Sequence, residues 1–234
     1  VAILDSATFF CSTIFLARMR VLEPKPEPAQ HHFLREVTAG FRHIRATPAL
    51  RQVLGGLTVA MLVIGFSETL IFFVIAALGK SPSFFGVFST IQGVGSIAGG
   101  LTAARLVRRF GEVTVVGLGL AAFAIADLAL IAPSIPVVVL AGPVAGIGVA
   151  WAIVGYSTVL QTRTPLAVQG RVASAADLAF STAQTASIAA GAALSTIVDW
   201  RLLFVVMAVV VFSSAGWMLT RREARAAAPA TMEA

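Results

Sequence analysis

Seven long apolar segments are the feature that most constrains how this chain of 234 residues folds. Each is roughly 17 to 27 residues long, enough to cross the ~30 Å hydrocarbon core of a bilayer as an α-helix. The segments are continuous and rich in Ala, Leu and Val, whereas the strands of a membrane β-barrel alternate apolar and polar residues. The sequence therefore predicts an all-α integral membrane protein with seven transmembrane helices, at residues 1–17, 53–78, 84–104, 113–132, 137–160, 172–198 and 202–220.

The overall composition excludes an ordinary water-soluble domain. Hydrophobic residues make up 58% of the chain and charged residues only 12%, against about 45–50% and 25% in soluble domains. The formal net charge of +6 would in a soluble protein raise the question of nucleic-acid binding. In a membrane protein the same charge is first a signal of topology.

Basic residues are confined almost entirely to one side of the predicted bundle. If successive helices alternate in direction, fifteen of the seventeen Lys and Arg residues fall on one side, and only Lys80 and Arg201 on the other. The positive-inside rule places the fifteen in the cytoplasm. We therefore expect a multi-pass plasma-membrane protein with the lipid bilayer as partner, a cytoplasmic C-terminal tail at 221–234 and no nucleic-acid partner.

The longest connection, residues 18–52, is predicted to be a cytoplasmic linker of two parts. The run EPKPEP at 23–28 is charged and Pro-rich, which indicates an extended segment. The second part predicts an amphipathic helix on the cytoplasmic membrane surface, and the alternative is a solvated helix that packs on nothing. Its apolar residues recur at helical spacing: Phe33, Val37, Phe41 and Ile44.

The first apolar segment, residues 1–17, is short and has no basic leading region, so it does not have the pattern of a signal peptide. We interpret it as a truncated transmembrane helix in the later part of a longer membrane protein. Residues 53–220 would then form a six-helix unit after the linker.

The predicted helices contain no histidine, and the chain lacks several common catalytic motifs. All three histidines, His31, His32 and His43, lie in the linker, so neither an HExxH zinc helix nor a Ser/His dyad within the membrane is possible. The single cysteine, Cys11, cannot form an intrachain disulfide or a Cys-based metal site, and no GxxxxGK[ST] loop is present. The chain is therefore expected to be no enzyme and to hold no cofactor and no metal.

Four carboxylates fall within the predicted helices: Asp5, Glu68, Asp127 and Asp177. Such groups are costly in a membrane and tend to face a cavity or a partner. Glu68 is sixteenth of 26 residues in its segment, and no predicted helix carries a basic residue to pair with it. We predict that Glu68 lies on the substrate or proton pathway, with a structural hydrogen bond to a neighbouring helix as the alternative. Asp127 and Asp177 lie near the ends of their segments, which favours structural or interfacial roles.

The fifth helix contains a second group of candidate residues, Trp151, Tyr156 and Ser157. They follow a cluster of Gly and Pro between 142 and 148, where a helix can kink. Aromatic side chains on a flexible helix suit a hydrophobic ligand. The alternative is that they anchor the helix in lipid or at the interface.

Small residues predict which helices approach their neighbours closely. Ala, Gly, Ser and Thr fill 12 of 21 positions in the third segment and 18 of 27 in the sixth. Four-residue spacings of Gly95 with Gly99 and of Ser96 with Gly100 allow tight helix packing in a membrane. Gln92 and Gln184, in the same two helices, are more typical of hydrogen bonds between helices than of ligand binding. The alternative is that Ala is only an apolar residue with no packing role. This alternative explains the small-residue content of the sixth segment better than that of the third.

Three stretches carry a resemblance to a known family. Residues 33–54 (FLREVTAGFRHIRATPALRQVL) resemble an amphipathic linker leading into a seventh helix, and 99–113 (GGLTAARLVRRFGEV) resemble a short cytoplasmic motif, typically G-x-L-A-D-R-x-G-R. Residues 160–174 (LQTRTPLAVQGRVAS) resemble a Q-x-x-x-P-x-x-x-x-G-R-V segment before an eleventh helix. The chain thus resembles the major facilitator superfamily, in its drug and siderophore exporter branch similar to macrolide efflux proteins. The resemblance implies helices six to twelve of a twelve-helix transporter.

The resemblance also implies that the loop after the third segment gates the cytoplasmic side through charge pairs. Its candidate residues are Arg105, Arg108, Arg109, Gly111 and Glu112. Arg108 stands at the motif's Asp and Glu112 at its second basic position, so the usual acid and base are reversed. A local Arg108–Glu112 pair at four-residue spacing is a possible substitute.

The implied function is proton-driven export of hydrophobic or amphiphilic small molecules, by alternating access of two halves around a site at the membrane midplane. The partner would be the missing N-terminal half. The resemblance further implies that the second and fifth helices line the cavity, the third and sixth face the other half, and the fourth and seventh are outer supports. The alternative function is a non-transporting membrane scaffold or sensor that acts through the basic linker.

Overall fold

A computed structural model describes residues 2–18 and 33–221 of the chain, and within them it contains eight α-helices and no β-strand. The predicted all-α fold is confirmed. The chain divides into two compact units, residues 1–32 and 33–234. The first unit contains α1 (Ala2–Arg18), which carries the exposed free Cys11. The predicted EPKPEP segment and the C-terminal tail after Arg221 lie outside the described residues.

The second unit begins with the amphipathic helix and continues with six long helices. Five helices, α3 to α6 and α8, are long and apolar enough to cross a membrane. The other two predicted spans do not meet this criterion, since α1 has only 17 residues and α7 is rich in small and polar residues. The helices are α2 (Phe33–Ala46), α3 (Pro48–Ala77), α4 (Phe84–Phe110), α5 (Glu112–Ala129), α6 (Ile135–Thr162), α7 (Leu166–Leu194) and α8 (Trp200–Thr220).

Local sequence signals account for several helix ends. Pro48 occupies the first turn of α3, where its missing N–H is not needed. Gly111 separates α4 from α5 with φ at 82°, a conformation that favours glycine. Ser134 Oγ accepts a hydrogen bond from the Val137 backbone N–H at the start of α6, and Asp199 accepts one from the Arg201 N–H at the start of α8.

The helices pack as two interlocked groups of three, α3–α5 and α6–α8. The first helix of each group packs on the second and third helices of the other: α3 on α7 and α8, and α6 on α4 and α5. The third helices, α5 and α8, pack on each other. Exchanging the two groups therefore leaves the pattern of principal contacts unchanged, as expected for the internal structural repeats of transporters.

Glycines lie where the interlocked helices approach most closely. A Cβ at Gly95 would overlap the Pro143 backbone, and one at Gly146 would overlap the carbonyl oxygen of Gln92. On the equivalent contact between α3 and α7, a Cβ at Gly65 would meet Ser187, and one at Gly191 would meet Phe66. The predicted small-residue packing therefore occurs within this chain.

The α4 face that carries Gly86, Gly93 and Gly100 is different. A Cβ at any of these glycines would meet nothing within 4 Å. They are spaced seven residues apart, so they lie on one side of the helix. The predicted close approach through Gly100 is not made within the described residues.

Helix α2 packs on the bundle through α7 and α3. Gly40 is buried against Arg171 and Ala175 of α7, and Ile44 is only 8% exposed. The alternative of a solvated helix that packs on nothing is therefore wrong, because Ile44 is buried and Phe41 packs against the core.

The two ends of the second unit differ in charge. At one end, which we call the Arg-rich end, the α4–α5 and α6–α7 connections meet α2. Glu112 pairs with Arg163 there, and His43 Nε2 lies 3.4 Å from the Arg163 carbonyl oxygen. At the opposite end, Arg201 Nε donates to the Ile131 carbonyl oxygen over 3.2 Å. The described basic residues at the Arg-rich end are Arg42, Arg45, Arg51, Arg105, Arg108, Arg109, Arg163, Arg171 and Arg221.

Candidate functional site

Two carboxylates from different helices line one partly open cavity of about 340 Å³, which we call the acidic cavity. They are Glu68 of α3 and Asp127 of α5. Its other polar side chains are neutral, and four phenylalanines contribute to an otherwise apolar wall. Among the described residues that line it there is no Lys, Arg or His. The polar and aromatic lining residues are Ser67, Glu68, Gln92, Asp127, Gln184, Phe85, Phe88, Phe123 and Phe204.

Asp127 is the more enclosed of the two acids. It is 4% exposed, two residues before the end of α5, and its Oδ2 has no hydrogen-bond partner among the described atoms. A buried acceptor without a partner costs about 1–3 kcal/mol. Such a group in a native protein calls for an explanation beyond packing.

Glu68 is an exposed residue of α3 and lines the acidic cavity. It lies nine residues before Ala77, the last residue of α3, which corresponds to about 14 Å along the helix. No described hydrogen bond or ion pair involves its side chain. The alternative of a structural hydrogen bond to a neighbouring helix therefore has no counterpart in the described residues. The role of Glu68 on the substrate or proton pathway remains a prediction. The structure adds that Glu68 lines the acidic cavity.

A second cavity of about 320 Å³, the apolar cavity, adjoins the first. Tyr156 and Ser157 line it, and the Tyr156 ring packs edge-on against Phe180 with centroids 5.3 Å apart. Four residues line both cavities and join them: Met61, Ile64, Phe123 and Val149. The structure thus brings Tyr156 and Ser157 next to the cavity that holds Glu68.

Trp151, the third candidate of this helix, lines neither of the two cavities. Its Nε1 donates to Thr102 Oγ1 over 3.0 Å, which ties α6 to α4. Five residues along a helix correspond to a rotation of about 140°, so Trp151 and Tyr156 cannot share one face. A side chain that donates a hydrogen bond to a neighbouring helix acts as a structural link.

The residues of the predicted gating loop are arranged differently from the predicted local pair. Glu112 Oε1 accepts hydrogen bonds from Arg163 Nη2 at 2.9 Å and Nε at 3.1 Å. The suggested Arg108–Glu112 pair is not formed, because Gly111 ends α4 and turns the chain before Glu112 begins α5. Arg105, Arg108 and Arg109 are exposed, and Arg109 lies 5.2 Å from the Phe110 ring centroid.

Several site residues were missed or given another role at the level of sequence. Asp127 was assigned a structural or interfacial role, and Gln92 and Gln184 were assigned to helix–helix hydrogen bonds, yet all three line the acidic cavity. The usable signal was one carboxylate and two side-chain amides within predicted membrane helices. The lining by Asp127 and Phe123 also shows that α5, the fourth predicted span, is more than an outer support.

Five long apolar helices and two adjoining, partly open cavities are the features of a multi-pass helical membrane protein, and within the described residues Glu68 has no basic partner. No cluster of three or more His, Cys, Asp or Glu side chains occurs within the described residues. The model of the Major Facilitator Superfamily matches residues 57–234. The chain therefore belongs to the major facilitator superfamily, whose members are membrane transporters, and the resemblance is confirmed at that level. Comparison with curated proteins and with solved structures gave no match.

Proposed function

We propose that this chain forms one half of a proton-driven exporter of hydrophobic or amphiphilic small molecules, in the drug and siderophore branch of the superfamily. The observation that carries the proposal is the position of Glu68 on the wall of a cavity that continues into an apolar space beside Tyr156 and Ser157, with no basic partner in the described part of the chain. Drug-sized ligands occupy pockets of about 300–1,000 Å³ that are mostly apolar with a few polar groups. The two adjoining cavities fall in that range.

Alternating access requires a second half opposite these cavities. Support for it comes from α7, where one exposed stripe carries Ser174, Asp177, Ser181 and Thr185. Polar side chains on a membrane helix face protein or a water-filled cavity in preference to lipid. The open glycine face of α4 offers a second surface for close helix packing. On this proposal the chain corresponds to helices six to twelve of a twelve-helix transporter.

The proposed location is the plasma membrane, with the Arg-rich end and the C-terminus in the cytoplasm. Glu112 and Arg163 would then stabilise the cytoplasmic side, together with the loop that contains Arg105, Arg108, Arg109 and Gly111. The alternative function, a membrane scaffold that acts through the basic linker, needs no cavity. The cavities and their acids therefore favour transport.

The proposal is tested by Glu68→Gln, with Glu68→Asp as the matched control, in vesicles from cells that express the whole open reading frame. The glutamine keeps the size of the side chain and its hydrogen-bonding capacity but cannot exchange a proton. We expect E68Q to abolish drug-induced proton movement, reported by a pH-sensitive dye, while E68D retains part of it. Unchanged proton movement in E68Q at equal expression would contradict the proposed role.

A further inference from the structure

We propose that a groove between α3 and α8 binds a phospholipid with a negatively charged headgroup, with an acyl chain in the groove and the headgroup at Arg51 and Arg221. The groove has a volume of about 440 Å³ and shares no lining residue with the acidic cavity or the apolar cavity. The inference concerns the membrane around the chain, so it does not depend on the proposed export function.

The open side of the groove is formed by one exposed stripe of each helix. Its exposed lining residues are Gly55 and Val59 of α3, and Val209, Ser213 and Trp217 of α8. The groove is open at Gly55 because this residue has no side chain. A Cβ there would meet only Trp217 Cη2, at 3.9 Å. The space at Gly55 is therefore free for a ligand.

Two buried hydrogen bonds between the helices hold the floor of the groove. Gln52 Nε2 donates to the Met218 carbonyl oxygen over 2.9 Å, and Ser214 Oγ donates to the Gly56 carbonyl oxygen over 2.7 Å. A Cβ at Gly56 would overlap Met218, so α3 and α8 are already as close as their backbones allow. The groove is therefore a fixed feature of the packed helices, as is usual for binding sites.

The surface on both sides of the groove is typical of helices that face lipid. Val59 is 46% exposed, Leu62 49% and Val209 58%. The hydroxyl on the open side, that of Ser213, donates to the Val209 carbonyl oxygen over 2.7 Å within its own helix, so it needs no outside partner. The exposed stripe of α7 is polar instead, which favours contact with protein or water. An acyl chain therefore suits this groove better than a second protein surface.

Two arginines lie at the Arg-rich end of the groove. Arg51 precedes Gly55 by four residues and Arg221 follows Trp217 by four, so both are in line with the groove. Arg221 Cζ lies 4.9 Å from the Trp217 ring centroid, and Arg51 Nη1 donates to the Arg45 carbonyl oxygen over 3.4 Å. Neither arginine forms an ion pair with a carboxylate in the described part of the chain.

These features favour a lipid whose headgroup is negative overall. A guanidinium group matches the geometry of phosphate oxygens, and basic sites between membrane helices bind acidic headgroups. Trp217 supplies the amphipathic ring that membrane proteins place at the level of the headgroups. A zwitterionic lipid also carries a positive amine, which two arginines would repel. The charge at the end of the groove therefore selects an anionic phospholipid.

The inference is tested by native mass spectrometry of the purified protein expressed from the whole open reading frame. Two lipids with the same chains are added, dioleoylphosphatidylglycerol, which is anionic, and dioleoylphosphatidylcholine, which is zwitterionic. Arg51→Gln and Arg221→Gln each remove a headgroup contact, and R51K and R221K keep the charge. The control is Arg105→Gln, because Arg105 is exposed at the same end of the bundle but lies on α4, outside the groove.

A second pair of variants tests the apolar part of the groove. Gly55→Leu fills the space beside Trp217. Its control is Gly216→Leu on α8, because a Cβ at Gly216 meets nothing within 4 Å and this residue does not line the groove. Thermal unfolding in detergent shows whether G55L is folded. If it is not, the exposed arginine variants keep the test decisive.

We expect the wild type to bind the anionic lipid at least about fivefold more tightly than the zwitterionic lipid. R51Q, R221Q and G55L should each weaken binding of the anionic lipid about fivefold, and R105Q and G216L less than about twofold. R51K and R221K should each retain more binding than the corresponding glutamine variant. Equal affinity of the wild type for the two lipids, or equal effects of R221Q and R105Q, would overturn the inference.

Other occupants of the groove would give different results. If glycerol 1-phosphate, a headgroup without acyl chains, binds as tightly as the lipid, the groove has no role and the inference is wrong. If G55L converts a dimer into monomers without changing lipid binding, a second copy of the chain covers the groove, which also overturns the inference. Export is measured separately through E68Q, so either proposal can fail while the other stands.

Discussion

Arg163, at the end of α6, donates two hydrogen bonds to a single oxygen of Glu112, the first residue of α5, over 2.9 and 3.1 Å. Glu112 and Arg163 are 51 positions apart in the sequence. The Glu112 side chain is 11% exposed and that of Arg163 is 43% exposed, so the pair is partly shielded from solvent. The pair joins the α4–α5 connection to the α6–α7 connection at the Arg-rich end.

We therefore expect Glu112 and Arg163 to be energetically coupled. In a double-mutant cycle of E112Q, R163Q and the double variant, the coupling free energy of unfolding should be about 0.5–1 kcal/mol, given the partial exposure of the arginine. The cycle is measured by denaturant unfolding in detergent. Arg108→Gln is the control, because Arg108 was the partner suggested by spacing but forms no described pair with Glu112. Coupling of E112Q to R108Q instead of to R163Q would contradict the structure.

Two glycines on α4 should respond oppositely to the same added methyl group. Gly95→Ala places a Cβ against the Pro143 backbone, which cannot move without shifting α6, so we expect a loss of about 1–3 kcal/mol. The added methyl group of Gly93→Ala meets nothing within 4 Å, so this variant should be stabilised by up to about 1 kcal/mol, because Ala favours a helix interior over Gly. Thermal unfolding of the 234-residue chain in detergent measures both. Equal melting temperatures for the two variants would show that α4 does not pack on α6 through this face.

Features that depend on local pattern were predictable from the sequence. Continuous apolar runs predicted the helices from 53 to 220, and the spacing of Phe41 and Ile44 predicted α2. The small residues around Gly95 predicted close packing. Each of these depends on helical periodicity and on the apolar length that a bilayer requires, which a single segment already displays.

Features that depend on which helices become neighbours were not predictable in the same way. Asp127 stands near the end of its helix, and only the packing of α5 beside α3 and α6 places it on a cavity wall with Glu68. Arg163 reaches Glu112 because α5 packs on α6. The four-residue spacing of Arg108 and Glu112 implied a continuous helix, which the positive φ of Gly111 interrupts.

The docking of α2 on α7 depends on a glycine and is open to a direct test. A Cβ at Gly40 would overlap the Arg171 carbonyl oxygen, so Gly40→Val should separate the helices and expose Ile44. We expect faster cleavage of α2 by a protease that cuts after basic residues, at least about fivefold. Gly170→Val is the control on the facing helix, because a Cβ there meets nothing within 4 Å. Equal cleavage of G40V and wild type would show that α2 does not depend on this contact.

The orientation in the membrane is testable because the chain contains one cysteine, Cys11. In a Cys11→Ser background we place single cysteines at Arg108 and at Lys80, which are both exposed and lie at opposite ends of the second unit. The segregation of arginines predicts that the R108C site faces the cytoplasm. An impermeant maleimide added to intact cells should therefore label K80C and leave R108C unlabelled until the membrane is opened. Labelling of both sites from outside would disprove the span model, and labelling of R108C alone would invert the proposed orientation, which would place the Glu112–Arg163 pair on the outer side of the transporter.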